Sequence, residues 1–204
     1  SQDALLHLVN RLTWKDPNVP FTARQRRQLD ELRESDLTKH LDLDQIVAVS
    51  CLRNNNRDEA VRIVELARSE PGKAKPWHAE LYESLGDSRN AEDVLRKRVE
   101  QEPDKLETWL RLVQYDARHG HSAAAAATIA KVMERFKTER PELLEAQSRT
   151  AAADWSGAEK AFDQALRRYP DDPTVLLAAA DYFERAGNHD RAEACLRHVL
   201  DRDP

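Results

Sequence analysis

The chain is poor in cysteine, glycine and aromatic residues: among 204 residues there are two cysteines, five glycines and one methionine, and aromatics make up 6%. Cys51 and Cys195 cannot build the disulfide framework that staples small secreted domains. Five scattered glycines supply no phosphate-cradling loop, and no Gly-x-Ser-x-Gly elbow occurs. The longest apolar stretch, around 175–180, falls far short of the ~20 residues a membrane-spanning helix needs. Neither sign of charge dominates. With 32 basic and 37 acidic residues the net charge is -5, so no global field would hold a nucleic-acid backbone. The densest basic cluster, Arg24, Arg26 and Arg27, is followed on the same predicted helix by Asp30, Glu31 and Glu34, and reads as a solvated, charge-paired surface. A chain that does not rely on disulfides suits a reducing, cytoplasmic compartment, but large periplasmic repeat proteins also manage without them, so localisation stays open.

What is present is a period. Ala60, Ala91, Ala125, Ala158 and Ala192 recur at spacings of 31, 34, 33 and 34 residues. Four residues after each comes a larger apolar side chain, Val64, Leu95, Ile129, Phe162 or Leu196, and twelve residues before each stands Ala48, Ala79, Val113, Ala146 or Ala180. Pro103, Pro170 and Pro204 lie twelve residues after three of the alanines, with Gly72 and Lys137 in the same place elsewhere. Units of this length can bury an apolar face only against their neighbours, so the period predicts stacked units rather than one central core.

Each unit reads as helix, turn, helix. Trp77, Leu81 and Leu85 recur at four-residue spacing, Gly86-Asp87 interrupts, and Ala91, Val94, Leu95 and Val99 resume the pattern. Gly86, Gly120 and Gly187 occupy the same turn position, where a positive φ ends the first helix at little steric cost. Asn55 and Ala153 hold that position in the other units; alanine tolerates it poorly, which predicts a differently built turn before Trp155. The repeated alanines are expected where the paired helices cross, and the run 123–127 is expected to mark an unusually close helix contact. In residues 1–40, Leu5, Leu6, Val9 and Leu12 suggest one amphipathic helix, interrupted by Pro17 and Pro20. Thr22 would cap a second, running to about Glu34 with Leu29 and Leu32 inward.

The unit resembles the tetratricopeptide repeat, whose pattern is tryptophan, leucine with a small residue, an aromatic, then alanine, a large apolar residue and a closing proline. The best-matched residues are Trp109-Leu110-Arg111-Leu112-Val113 with Gly120, and Gly187 with Ala192, Leu196 and Pro204. Departures exist: only Trp109 fills the aromatic opening position, and the first unit is three residues short. The resemblance implies an all-α fold, a right-handed α-α superhelix of antiparallel hairpins, with five units near 41–71, 72–105, 106–138, 139–172 and 173–204. Residues 1–40 then form a degenerate capping hairpin or the end of a preceding domain. A start at Ser1-Gln2-Asp3 and an end at a closing proline suggest a segment of a longer protein.

No convergent catalytic set is visible, which predicts no enzyme activity and no cofactor in this segment. His119-Gly120-His121 is the nearest approach to a metal site, but it lacks a third ligand and lies in a turn where polar residues are expected. The pairs Glu80 with Glu83 and Asp181 with Glu184 read as exposed helix positions rather than an acid and a base. Trp155, at a turn, reads either as filling that turn or as an anchor for a partner.

The resemblance implies a concave groove lined by the first helix of each unit. Counting from the small crossing positions nominates Gln45, Val49 and Leu52; Pro76, Glu80 and Glu83; Leu110, Gln114 and Ala117; Leu143, Gln147 and Thr150; Leu177, Asp181 and Glu184. Arg111, Arg118 and Arg140 border its middle. One subclass of the family grips a carboxyl terminus with lysines, asparagines and an arginine, a set these positions do not hold. The expected function is a non-catalytic scaffold that binds a peptide or partner segment, with no nucleic-acid partner and no membrane span. Alternatives are a recruiting or oligomerising arm of a larger enzyme or secretion complex, and self-association through apolar surface at Ala194, Val199 and Leu200.

Overall fold

The computed structural model describes Val9 and residues 21–34, 42–69 and 75–201. Leu5, Leu6, Leu12, Pro17, Pro20, Gly72 and Pro204 lie outside the described residues. The chain divides into two compact units, Ser1–Gln101 and Glu102–Pro204. The described residues form helices and no strand. The first unit contains α1 (Ala23–Glu34), α2 (Leu43–Arg53), α3 (Arg57–Ser69), α4 (Pro76–Ser84) and α5 (Ser88–Gln101). The second contains α6 (Leu106–Arg118), α7 (Ser122–Arg135), α8 (Pro141–Ala151), α9 (Trp155–Arg168), α10 (Pro173–Arg185) and α11 (His189–Leu200).

Helix α1 starts where its sequence signal lies. Thr22 Oγ1 accepts from the Gln25 N–H at 3.3 Å and Gln25 Oε1 accepts from the Thr22 N–H at 2.9 Å, a reciprocal cap that satisfies two otherwise orphaned donors. Phe21 and Leu29 are buried beneath it. Helices α2 to α11 form five antiparallel hairpins, and within each unit the first helix of a hairpin also packs on the hairpin before it.

All five hairpins turn in the same way. The positive-φ residues are Asn55 (58°), Gly86 (75°), Gly120 (76°), Ala153 (55°) and Gly187 (76°). In every turn the N–H of this residue reaches a carbonyl three residues back, and the next N–H reaches one five residues back: Asn56 to Cys51, Asp87 to Tyr82, His121 to Asp116, Asp154 to Arg149 and Asn188 to Phe183, all at 2.8–2.9 Å. This double closure satisfies the last carbonyls of the first helix. The turn before Trp155 is therefore not built differently. Ala153 takes the left-handed conformation that alanine disfavours, because the two hydrogen bonds and the packing of both helices fix the turn. In four of the five turns the residue after the positive-φ position then caps the second helix: Asn56, Asp87, Asp154 and Asn188 accept from backbone N–H groups three residues on, whereas His121 makes no such side-chain cap.

The alanines sit where expected. Ala60, Ala91, Ala125, Ala158 and Ala192 are all buried, and so are Ala48, Ala79, Val113, Ala146 and Ala180. In the second unit Ala146, Ala158, Ala180 and Ala192 join Phe162, Leu176, Tyr182 and Phe183 in one core, with Phe162 and Tyr182 stacked at 4.7 Å between ring centroids. The run 123–127 corrects a second expectation: only Ala125 is buried, while Ala123, Ala126 and Ala127 face solvent. That composition favours the helix without making a close contact.

Candidate binding pockets

The first helices carry a concave pocket in each unit. The first-unit pocket, about 430 Å³, is lined from α2, the turn after it, the start of α3, and α4 by Gln45, Val49, Leu52, Arg53, Asn55, Arg57, Trp77, Glu80, Leu81 and Ser84. Its wall is fixed by Asp42, the N-cap of α2. That carboxylate accepts from Lys75 Nζ and from Trp77 Nε1, each at 2.7 Å, and so ties the start of α4 to the start of α2. Burial alone would raise the Asp42 pKa, but the hydrogen bonds from Lys75 and Trp77 outweigh it and hold the carboxyl below its ordinary value.

The second-unit pocket encloses about 530 Å³. Helix α6 supplies Leu106, Glu107, Leu110, Arg111 and Gln114; α8 supplies Gln147, Thr150 and Ala151; α10 supplies Ala178, Asp181, Tyr182 and Arg185; Phe162 closes the floor. On α6 and α10 these residues follow the i, i+3, i+4, i+7 spacing of one helical face. Two charge pairs stand on it: Arg111 lies 3.2 Å from Glu107, and Arg185 lies 3.7 Å from Asp181. Between them the side-chain amides of Gln114 and Gln147 have no hydrogen-bond partner among the described residues. Each amide offers both donors and an acceptor.

The groove positions nominated by the sequence thus separate into groups. Leu110, Arg111, Gln114, Gln147 and Asp181 come together in the second-unit pocket, and Gln45, Val49 and Glu80 in the first-unit pocket. Glu83 and Arg118 line neither. Arg140 is the N-cap of α8, and its guanidinium is paired with the Asp172 carboxylate, the N-cap of α10. Leu143 is only 6% exposed and belongs to the core, so it is no groove residue. Leu177 is 50% exposed on α10, outside both pockets. The counting missed Glu107, Tyr182 and Arg185. Glu107 lies one further turn before Leu110 on the same helical face, while Tyr182 and Arg185 lie one and four residues beyond Asp181.

The histidine turn has local partners. His119 stacks on Tyr115 with centroids 4.1 Å apart, and His121 Nδ1 lies 3.7 Å from the buried Asp116 carboxylate. Among the described residues, no group of three or more His, Cys, Asp or Glu could hold a metal ion, and no helix is long and apolar enough to cross a membrane. Cys51 and Cys195 are buried free thiols; burial pushes the Cys51 pKa up to about 12, so it carries no nucleophilic thiolate at neutral pH.

Residues 143–204 match the tetratricopeptide repeat family model. No curated protein matches the chain. Among solved structures, a tetratricopeptide repeat protein from Parabacteroides merdae ATCC 43184 aligns at 18% identity over 98% of this chain and 80% of its own, with a TM-score of 0.45. MamA from Desulfovibrio magneticus RS-1 aligns at 18% identity over 78% of this chain and 92% of its own, with a TM-score of 0.40. Five hairpins share one turn geometry and one alanine register, and the last two of them are the stretch that matches the tetratricopeptide repeat family model.

Proposed function

We propose that this chain is a non-catalytic protein-interaction scaffold, and that the second-unit pocket binds an extended peptide segment of a partner. The observation that carries this reading is the pair of unengaged amides, Gln114 and Gln147, on neighbouring first helices in a pocket of about 530 Å³. An extended peptide presents backbone N–H and C=O groups that must be satisfied on binding. Two carboxamides meet that demand without selecting a side chain. The flanking charge pairs cancel, so the pocket favours neither a basic nor an acidic segment as a whole. Leu106, Leu110 and Ala178 supply apolar contact beside the amides.

The test is selection of binders from a phage-displayed library of random peptides, followed by affinity measurement of the enriched sequences. Gln114→Ala with Gln147→Ala is expected to weaken a selected peptide roughly 10-fold or more, as the loss of two hydrogen bonds of about 1 kcal/mol each implies. Helical circular dichroism should stay unchanged. Binding that is indifferent to both glutamines would defeat the reading.

A further inference from the structure

Trp155 is set apart from the other described tryptophans. Trp77 donates its indole N–H to Asp42 at 2.7 Å, and Trp109 donates its own to the Pro103 carbonyl at 2.9 Å; both are built into the structure. The Trp155 indole N–H has no partner among the described residues, and the side chain is 43% exposed. The repeat supplies an internal comparison. Trp155 is the first residue of the second helix of its hairpin, and the equivalent positions hold Arg57, Ser88, Ser122 and His189. A turn of identical geometry forms around each of them, so the fold does not require an aromatic ring here.

Its surroundings point toward the second-unit pocket. Tyr182 Oη donates to the Trp155 carbonyl at 2.7 Å, and the two rings lie 6.1 Å apart, tilted by 32°. The Arg185 guanidinium carbon is 5.9 Å from the indole centroid. Tyr182 and Arg185 both line the pocket. They are three residues apart on α10 and therefore share one face of that helix, so both contacts reach the indole from the α10 side. At 43% exposure Trp155 keeps part of its surface open to solvent beside these two pocket residues. A guanidinium already against the indole disfavours a second cation there, while an uncharged ring stacks on the open face with no such repulsion.

We infer that Trp155, backed by Tyr182 and Arg185, forms a subsite that receives an aromatic side chain of the bound peptide and gives the pocket its side-chain specificity. This rests on the peptide-binding reading above. The amides of Gln114 and Gln147 hold the backbone, and the tryptophan reads one residue of it. Residues that dominate binding energy at interfaces are enriched in tryptophan, tyrosine and arginine, the three side chains gathered here.

The experiment uses the same random-peptide selection on the wild-type chain, Trp155→Ser and Trp155→Phe. Peptides enriched by the wild type are expected to share an aromatic residue at a fixed position. Trp155→Ser should lose that preference and bind the enriched peptide roughly 10-fold more weakly, while Trp155→Phe keeps both. Replacing the peptide's aromatic residue with alanine should weaken binding to the wild type and produce little further loss in Trp155→Ser, the non-additivity that marks a direct contact. Circular dichroism of each variant checks folding, and Trp155→Phe retains a ring in case Trp155→Ser does not fold. Enriched peptides without a common aromatic, or additive losses, overturn the subsite while leaving the pocket reading in place. Peptides whose affinity ignores Gln114 and Gln147, or no enrichment at all, overturn both. Concentration-dependent association in light scattering that Trp155→Ser abolishes would assign the ring to a contact between copies of the chain, and would also overturn the subsite.

Discussion

Ala153 carries a Cβ in a turn whose equivalents in three hairpins are glycine, at a φ of 55°. The left-handed conformation costs a non-glycine residue about 1–2 kcal/mol, whereas glycine loses about 0.5–1 kcal/mol in chain entropy. Ala153→Gly is therefore expected to stabilise the second unit by about 0.5–1 kcal/mol in urea unfolding. Gly187→Ala should destabilise it by about 1 kcal/mol through backbone strain alone, because an added Cβ there meets nothing within 4 Å. The alanines face the opposite constraint. Ala158 is fully buried where α8 and α9 cross, and Ala158→Leu should overpack that crossing and cost about 1–3 kcal/mol. Asp42 sets a pH dependence in the first unit. Its pKa is lowered in the folded state, so its contribution is present above the ordinary carboxylate value of 3.8 and is lost as pH falls through the lowered value. Acid unfolding followed by circular dichroism should show this limb, and Asp42→Asn should flatten it while lowering stability at neutral pH.

At the scale of the element, the hairpin was legible wherever its physical demand selects a residue type. A positive φ selects glycine or asparagine, and a close crossing selects alanine, so Gly86, Gly120, Gly187 and the alanine register could be read directly. Ala153 could not, since alanine gives no sign of a left-handed backbone and the surrounding hydrogen bonds alone impose it. The run 123–127 misled for a related reason: small residues are needed at a crossing but equally favour any exposed helical face, and composition does not distinguish the two. The groove was legible only in part. Helical spacing grouped Gln114, Gln147 and Asp181, which the second-unit pocket brings together, but it could not tell that neighbouring helices cover Leu143, or that Tyr182 and Arg185, one and four residues beyond Asp181, line the same pocket. Leu196 shows the same limit: it shares a register position with the buried Phe162, yet it is 45% exposed.

For the molecule as a whole, five copies of one hairpin divide the work between positions that repeat and positions that vary. The turn geometry and the crossing residues are the same throughout and hold the first helices in place. The residues those helices present differ from hairpin to hairpin: glutamine, valine and glutamate in the first-unit pocket; paired charges, two free amides and an adjoining tryptophan in the second. With charges of both signs spread over the chain, the proposed recognition would rest on the local chemistry of these pockets rather than on a long-range field. The most direct measurement is the dissociation constant of a library-selected peptide for the wild-type chain and for Gln114→Ala with Gln147→Ala, taken alongside circular dichroism. A weakening of roughly 10-fold or more with unchanged helicity is the predicted result, and an unchanged dissociation constant would contradict the account.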